Sequence, residues 1–266
     1  MDTGRKAIFF DIDGTLYDRE RSEELPGSTK LALKKLRENG HRIFICTGRV
    51  NCAVEQPLRA LHFDGMILGC GTQIIYHGRE LYYHRMDAET VYHLMGLVRQ
   101  EGGLAILEGK DALYCDPPAP DSQLYAYYQK RLRQLDDLLK PIFGQSWEIS
   151  KMTVRFPKEA SERRQKLLRR ASAWVTVIDS GKSAEFVPKG FSKATGIAYI
   201  LEKLGINRED TVAFGDSMND YEMLSFVGHG IAMGNSSEEI LALCDDHTES
   251  VYEDGIYKAC VRNHWI

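Results

Sequence analysis

Several short apolar segments of the sequence end in side chains that could do chemistry. Asp11 and Asp13 follow one such segment, and Thr47 follows another. Asp216 comes two residues after a third segment, and Lys193 lies near the start of the amphipathic stretch that precedes it. Ligands of open α/β sheets bind at the carboxyl ends of the parallel strands. If these segments are parallel strands, three carboxylates, a hydroxyl and an ammonium group meet at one edge of the sheet.

Such a group of side chains is typical of sites for metal-dependent phosphoryl transfer. Three carboxylates in a partly buried place repel one another, and Mg²⁺, which prefers hard oxygen ligands, relieves that repulsion. A cation, a lysine and a hydroxyl together match the charge on the non-bridging oxygens of a transferring phosphoryl group. One carboxylate can act as the nucleophile and form an aspartyl-phosphate. A second carboxyl can protonate the leaving oxygen and then activate water.

The elements that would carry these side chains alternate between strands and helices. The apolar patterns predict strands over 6–10, 41–46, 65–68, 211–214 and 230–233, and helices over 28–39, 52–61, 192–204, 220–226 and 237–243. Ser28 is the predicted N-cap of the first helix, and Gly40 is its predicted C-cap. The alternation predicts an α/β fold with a doubly wound parallel sheet.

The stretch between residues 83 and 182 has a different character. Its patterns predict strands over 104–107, 112–115, 151–156 and 174–179, and helices over 89–100, 122–139 and 163–172. The sequence therefore predicts a catalytic core formed by 1–82 and 183–266, with an α+β module inserted at 83–182. Insertion between two core strands leaves a cleft, and we expect the module to close over it and to select the substrate.

Five segments of the predicted core resemble those of a known family. In order they read DIDGTL, ICTGR, PKGFSKATGI, FGDSMNDYEML and IAMGN. This series resembles the haloacid dehalogenase (HAD) superfamily of phosphatases, and the large insertion resembles the C2-type cap of its Cof-type members (subclass IIB). The resemblance covers roughly residues 6–75 and 184–260. It implies a HAD-like Rossmannoid core with an inserted cap domain, and Mg²⁺-dependent hydrolysis of small phosphate monoesters, such as sugar phosphates, through an aspartyl-phosphate.

The resemblance also implies roles for individual residues. Asp11 would be the nucleophile and a metal ligand. Asp13 would be the general acid/base, and its backbone carbonyl would also bind the metal. Asp216 would supply the second metal carboxylate. The phosphoryl group would be held by Thr47, Gly48, Lys193 and Asn219, and the site would be supported by Ser217 and Asp220. Lys189 also lies near the third motif, but the register FSKATG favours Lys193.

One segment departs from the family pattern. Cof-type sequences often carry Asn-Gly-Ala after the third strand, whereas this chain has Cys70-Gly71-Thr72. The departure bears on any substrate or loop contact that the asparagine makes. It leaves the predicted nucleophile and metal ligands unchanged.

Charge and cysteine content restrict the classes of partner. The 266 residues carry a formal net charge of −4, which argues against a nucleic-acid partner because such a partner needs a basic surface. The six cysteines are irregularly spaced and include no C-x-x-C pair, so we expect reduced thiols in a cytoplasmic protein. No apolar run approaches about 18 residues, which predicts no membrane span. The expected ligand is a small phosphorylated metabolite; the particular ester and the oligomeric state stay open.

Three other functions compete with hydrolysis. A signalling receiver also phosphorylates an Asp with the help of Thr and Lys, but its acceptor lies on a middle strand of a much shorter chain. The glycines Gly69 and Gly71 could open a dinucleotide-binding loop, but the third glycine of that fingerprint is missing. A phosphotransferase or mutase of the same superfamily would also use Asp13. The sequence gives no indication of a second phosphate site, which favours hydrolysis.

Overall fold

The computed structural model of the protein describes residues 4–18, 21–22, 24–143, 147–157, 160–181, 183–244 and 246–266. Contacts divide the chain into two compact units. The first unit comprises Met1–Arg49, Glu55–Tyr82 and Ser192–Ile266, and the second comprises Val50–Val54 and Tyr83–Phe191. The domain boundaries predicted at 82/83 and 182/183 stay a prediction, and Lys182 lies outside the described residues. Over the stretches given above, the helices are all too short or too polar to cross a membrane.

The strands and helices of the described residues alternate along most of the chain. The strands are β1 (Ala7–Phe10), β2 (Arg42–Cys46), β3 (Gly65–Leu68), β4 (Gln73–Tyr76), β5 (Arg79–Tyr83), β6 (Leu104–Gly109), β7 (Leu113–Tyr114), β8 (Leu139–Lys140), β9 (Ile149–Arg155), β10 (Val175–Asp179), β11 (Ser183–Pro188), β12 (Thr211–Gly215), β13 (His229–Ala232) and β14 (Asp246–His247). The α-helices are α1 (Gly27–Glu38), α2 (Gln56–Arg59), α3 (Ala88–Gln100), α4 (Gln123–Leu135), α5 (Ser161–Ala171), α6 (Lys193–Leu204), α7 (Tyr221–Phe226), α8 (Glu238–Leu243) and α9 (Gly255–Arg262).

The strands form two sheets. One has eight strands in the order β14-β13-β12-β1-β2-β3-β4-β5, and the other has six in the order β10-β11-β9-β6-β7-β8. The eight-stranded sheet is parallel from β14 to β3 and antiparallel between β3 and β4. The predicted α/β fold with a doubly wound parallel sheet and an inserted α+β part is confirmed, with an antiparallel hairpin at one edge of the sheet.

The central strand β1 shows why the first unit folds in this way. All four of its residues are buried, as expected for a parallel strand that is covered on both faces. Phe9 stacks on Phe44 of β2 at 4.9 Å, and Phe10 stacks on Phe214 of β12 at 5.1 Å. Phe10 pairs in register with both Ile45 and Phe214, so the three strands end at the same level. The polar residues that follow these strands therefore share one edge of the sheet.

Two local predictions for the predicted catalytic core are wrong. Helix α1 begins at Gly27 with Pro26 as its N-cap, so Ser28 lies inside the first turn and its side chain does not cap the helix. The helix predicted over 52–61 is instead a 3-10 turn at Asn51–Ala53 and the short helix α2. Pro57 explains the late start of α2, because a proline lacks the N–H that a helix interior needs but fits the first turn.

The hairpin of β4 and β5 was not predicted. Its loop consists of His77 and Gly78, and both residues have positive φ, at 45° and 74°. Two successive residues with positive φ are typical of the type I′ turns that join hairpin strands. His-Gly is a weak sequence signal for such a turn, since the usual first residue is Asn or Asp.

The second unit packs an apolar core against one face of its six-stranded sheet. The core includes Leu94 of α3, Leu167 of α5, and Met152 and Phe186 of the sheet. Neighbouring positions of the same strands also carry charge: Lys151 is 2% exposed, and its Nζ lies 3.6 Å from a Glu108 carboxylate oxygen, with Glu185 as a second partner at 2.5 Å. The apolar side chains of this core form a cluster separate from that of the first unit.

His41 links the C-terminal segment to the residue before β1, within the first unit. The backbone N–H of Lys6 donates to His41 Nδ1 at 3.0 Å, which places the ring proton on Nε2. Nε2 then donates to the carbonyl of Trp265 at 3.2 Å. Burial is the main cause that lowers the pKa of His41, and the nearby charge of Lys6 lowers it further, while the Trp265 carbonyl acts in the opposite direction. The folded protein therefore favours the neutral ring.

This arrangement predicts a loss of stability in mild acid. The pKa of His41 is lower in the folded chain than in the unfolded chain, where it is about 6.5. As the pH falls through that value, the unfolded chain binds more protons, so the stabilisation is present above it and is lost below it. Urea unfolding at pH 7.5 and 5.5 should show a smaller fall in the free energy of unfolding for His41→Asn than for the wild type. Equal falls would contradict this account.

Candidate active site

A buried lysine joins two carboxylates at the edge of the parallel sheet. Lys193 Nζ donates to Asp11 Oδ1 at 2.7 Å and to Asp220 Oδ1 at 2.6 Å. Lys193 is 1% exposed, Asp11 3% and Asp220 0%. Ion pairs shielded from water to this degree interact far more strongly than ion pairs at the surface. Three sequence-distant residues predicted for the site therefore lie in direct contact.

The start of helix α6 places Lys193 in this group. Ser192 is the N-cap, and its side chain accepts from the backbone N–H of Thr195, while the Thr195 hydroxyl oxygen accepts from the Ser192 backbone N–H at 2.9 Å. This capping box fixes the first turn of the helix, in which Lys193 is the first residue. Gly71 lets a neighbouring loop approach closely, since a Cβ there would lie 2.2 Å from the Ser192 carbonyl oxygen.

Asp216 lies against the loop that follows β1. Thr15 Oγ1 donates to Asp216 Oδ1 at 3.0 Å. Gly14 has a φ of +82°, and a Cβ at this position would lie 2.3 Å from Asp216 Oδ2. Only a glycine permits both this backbone conformation and this approach. The sequence DIDGT therefore builds a loop that fits around the carboxylate of Asp216.

Asp220 organises the segment that follows β12. Its Oδ2 accepts from the backbone N–H groups of Asp216 at 3.1 Å and Ser217 at 3.2 Å, while its Oδ1 accepts from Lys193. Both oxygens of Asp220 thus orient neighbouring groups. Ser217 Oγ donates to Asn219 Oδ1 at 2.8 Å, so the predicted supporting and phosphate-binding residues of this segment also contact each other.

The cluster holds more negative than positive charge. Burial is the main cause that raises the pKa of Asp11 to about 7; Lys193 lowers that pKa, and Asp220 and Asp13 raise it. Burial likewise raises the pKa of Asp216 to about 8, with Asp220 and Asp11 as further causes. One ammonium group therefore does not offset the three carboxylates Asp11, Asp216 and Asp220.

The residues fit a divalent cation. Asp11, Asp216 and Asp220 each offer a carboxylate oxygen within 4.8 Å of the others. Hard oxygen donors and an uncompensated negative charge are what Mg²⁺ requires. Asp13 differs from the other acids, because its side chain is 56% exposed and faces an arginine. Of the predicted metal ligands, Asp11 and Asp216 lie in this cluster by their side chains, whereas Asp13 does not.

Arg49 holds the carboxylate of Asp13. Its Nε donates to Asp13 Oδ2 at 2.7 Å, and its NH2 group forms a second, short contact to Asp13 Oδ1. NH1 of the same guanidinium donates to Glu55 at 3.2 Å, and Glu55 in turn accepts from the Tyr17 hydroxyl. Hydrogen bonds to Asp13 raise the pKa of Arg49 despite its burial. A guanidinium that binds both carboxylate oxygens fixes the orientation of that carboxylate.

The sequence alone left the role of Arg49 open between a substrate contact and a surface ion pair. The structure shows an ion pair whose arginine is only 14% exposed and whose partner is the predicted general acid/base. The signal available in the sequence was the position of Arg49 directly after Thr47-Gly48. That position indicated nearness to the strand end, but it could not indicate which carboxylate the side chain binds.

The remaining predicted residues lie close to the same strand ends. Thr47 follows β2 and is 1% exposed, and its Oγ1 accepts from the Arg49 backbone N–H at 3.3 Å. Gly48 lies between these two residues. Lys189 is not part of the cluster, because its Nζ donates to the Ala173 carbonyl in the second unit. The choice of Lys193 over Lys189 therefore agrees with the geometry.

Cys70 adopts the left-handed conformation, with a φ of 56°. Asparagine is several-fold enriched in this region, which gives a physical reason for the Asn that Cof-type sequences often have here. Cys70 is buried, and its backbone N–H donates to the Thr47 carbonyl at 3.1 Å. The backbone bond to Thr47 is thus made without an asparagine.

Comparisons with known proteins find relatives over most of the chain. The model of the haloacid dehalogenase-like hydrolase family matches residues 8–260. YkrA of Bacillus subtilis (strain 168), provisionally named a phosphatase, is 30% identical over 94% of this chain and 95% of its own. An HMP-PP phosphatase of Cronobacter sakazakii (strain ATCC BAA-894) is 29% identical over 88% of this chain and 85% of its own.

A solved structure extends the likeness to the whole fold. The HAD subclass IIB sugar phosphatase BT4131 is 27% identical, with a TM-score of 0.82 over 98% of this chain and 100% of its own. Sequence and structural relatives thus point to the same class of enzyme. The chain belongs to the haloacid dehalogenase-like hydrolase family, as a phosphatase of the Cof type.

Proposed function

We propose that the protein is a Mg²⁺-dependent phosphohydrolase that cleaves small phosphate monoesters through an aspartyl-phosphate on Asp11. The observation that carries this proposal is the buried contact between Asp11 and Lys193 beside the carboxylates of Asp216 and Asp220. A buried carboxylate at a strand end, next to a fixed ammonium group and an excess of negative charge, suits a nucleophile that works beside a cation.

In the first half of the reaction, a carboxylate oxygen of Asp11 attacks phosphorus and the bond from phosphorus to the leaving oxygen breaks. Asp13 donates a proton to that oxygen. In the second half, Asp13 takes a proton from water, the water oxygen attacks phosphorus, and the bond to Asp11 breaks to release inorganic phosphate. Lys193 and Thr47 hold the phosphoryl oxygens, together with Gly48 and Asn219.

Asp11, Asp216 and the backbone carbonyl of Asp13 would hold Mg²⁺, and Asp220 and Ser217 would support them. When bound, Mg²⁺ supplies positive charge to the non-bridging oxygens of the phosphoryl group. The chain's own contribution is to keep the oxygen donors in place and Lys193 charged, since Asp11 and Asp220 raise the pKa of Lys193 well above its usual range despite its burial.

The substrate class is a small phosphorylated metabolite, with sugar phosphates as the first candidates. The likeness to the sugar phosphatase BT4131 supports this choice, whereas the likeness to HMP-PP phosphatases favours a wider search. We further propose a cytoplasmic location, supported by the irregular spacing of the six cysteines, which include no C-x-x-C pair.

The proposal is tested by phosphate release from a panel of sugar phosphates, nucleotides, cofactor phosphates and p-nitrophenyl phosphate. We expect turnover with Mg²⁺, loss of turnover in EDTA, and recovery when excess Mg²⁺ is added back. Turnover that persists in EDTA after extensive dialysis would contradict the metal requirement. Failure to hydrolyse every ester of the panel would contradict the proposed substrate class.

Arg49 provides a sharper prediction about Asp13. Arg49→Lys keeps the positive charge but loses the bidentate hydrogen bonding to the Asp13 carboxylate. A lysine cannot donate to both oxygens in the fork geometry of a guanidinium. We expect kcat for a sugar phosphate to fall about 10²-fold, in the range of a general-acid contribution. The fall should be much smaller for p-nitrophenyl phosphate, whose leaving group needs little protonation.

Arg208→Lys is the matched control, since Arg208 donates to the carbonyls of Phe226 and Ser225. Equal losses for both esters would contradict the assigned link.

A further inference from the structure

One amide side chain links the loop after β1 to a distant part of the first unit. Asn235 lies in the loop after β13, and its Nδ2 donates to the Gly14 carbonyl at 2.8 Å. The Oδ1 atom of the same amide accepts from the backbone N–H of Val251 at 3.1 Å. Both ends of the amide are thus hydrogen-bonded, each to a different segment.

The position of the Gly14 peptide group affects the side chains of Thr15 and Asp216. Its peptide group continues into Thr15, whose hydroxyl donates to Asp216 Oδ1 at 3.0 Å. The N–H of Gly14 donates to the Tyr17 carbonyl at 2.9 Å, which closes the loop on its other side. Gly14 has positive φ, and a Cβ at this position would lie 2.3 Å from Asp216 Oδ2, so the loop packs closely on that carboxylate. A shift of this peptide group would therefore move the Thr15 hydroxyl and the Asp216 carboxylate with it.

The other end of the Asn235 amide rests on a well-bonded part of the chain. The Gly234 N–H donates to the Glu249 carbonyl at 3.2 Å, and the Thr248 N–H donates to the Ala232 carbonyl at 2.9 Å. Thr248 Oγ1 donates to the Gly255 carbonyl at 2.7 Å. Ser250 and Glu253 form a capping box at the turn that contains Val251. Hydrogen bonds that do not involve Gly14 therefore fix the segments around Asn235.

We propose that Asn235 is a positioning residue for the metal site, and that it acts through the Gly14 carbonyl on Thr15 and Asp216. The inference rests on the proposed function, because Asp216 is taken there as a metal carboxylate. Removal of a residue that orients metal ligands without touching the metal typically lowers metal affinity by about 10- to 100-fold. The amide is suited to this task, since one side chain supplies the donor for Gly14 and the acceptor for Val251.

The test compares two asparagines that make the same kind of bond. Asn39 Nδ2 donates to the Trp265 carbonyl at 2.8 Å, the same distance as in the bond from Asn235 to Gly14. Asn235→Ala and Asn39→Ala should both lower the melting temperature by a few degrees in EDTA. Only Asn235→Ala should weaken Mg²⁺ binding, by about tenfold in titration calorimetry, and reduce the Mg²⁺-induced rise in melting temperature. Its kcat at limiting Mg²⁺ should fall while KM for the ester changes little.

Asn235→Asp separates the two bonds of the amide and serves if Asn235→Ala does not fold. It keeps the acceptor for Val251 but cannot donate to Gly14, so we expect kcat at limiting Mg²⁺ to fall as in Asn235→Ala. Wild-type Mg²⁺ affinity in Asn235→Ala, or wild-type kcat in Asn235→Asp, would overturn the inference. A wild-type protein that neither binds Mg²⁺ nor requires it for hydrolysis would instead overturn the proposed function.

Discussion

Asp11→Asn should lower the rate of phosphate release by about 10⁴-fold or more, because the amide cannot accept the phosphoryl group. The variant should nevertheless fold. Asp11 is buried in a cluster with excess negative charge, and its pKa is raised to about 7, mainly by burial. Replacement of that carboxylate by a neutral amide of the same shape removes repulsion from Asp216 and Asp220. In EDTA we therefore expect a free energy of unfolding at least equal to that of the wild type.

The measurement pairs steady-state phosphate release with urea unfolding in EDTA. Asp210→Asn is the matched control, because Asp210 is 43% exposed and pairs with Lys6 away from the cluster. It should keep wild-type turnover. Removal of the nucleophile should leave far less than about one hundredth of wild-type turnover. A folded Asp11→Asn protein that retains more than that would show that Asp11 is not the nucleophile.

Lys193→Met should be the most destabilising single change in the cluster. Lys193 forms ion pairs with both Asp11 and Asp220, and all three side chains are buried. Removal of one partner from a buried ion pair leaves uncompensated charge and costs about 3–5 kcal/mol. We expect a loss of that size in EDTA, together with a fall in kcat of about 10²–10³-fold from the missing donor.

Two further variants make this prediction specific. Lys35 is a lysine of α1 that donates to the Tyr257 hydroxyl at 3.2 Å, and Lys35→Met should cost roughly 1 kcal/mol, as one hydrogen bond does. Asp11→Asn added to Lys193→Met should restore part of the lost stability, because it removes one of the two carboxylates that have lost their lysine partner. Equal stability of Lys193→Met and the wild type in EDTA would contradict the picture of a lysine that holds two buried carboxylates.

The convergence of Asp11, Lys193 and Asp216 could be predicted from the sequence because it follows from topology. Parallel strands end at one edge of their sheet, and Phe10 pairs in register with Phe214 of β12. The start of α6 was equally local: the pattern predicted a helix over 192–204, and the helix begins at Lys193 with Ser192 as its N-cap. The strand ends of the parallel sheet and the start of α6 were thus accessible to pattern reasoning.

The rest depended on contacts that no local pattern encodes. The grip of Arg49 on Asp13, and the bond from Asn235 to Gly14, join residues that only the folded chain brings together. The turn at His77-Gly78 carries a weak signal, so the hairpin at the edge of the sheet was not expected. Ser28 is a good capping residue by type, but α1 starts one residue earlier, after Pro26.

The aspartyl-phosphate on Asp11 is tested most directly by acid quenching during turnover, followed by mass spectrometry of the digested protein. With Mg²⁺ and a readily hydrolysed ester, the peptide that contains Asp11 should carry the mass of one phosphoryl group at Asp11. The signal should be absent in Asp11→Asn and should disappear when the substrate is exhausted. Multiple turnovers with no phosphorylated peptide, or with the phosphoryl group on another residue, would contradict the account.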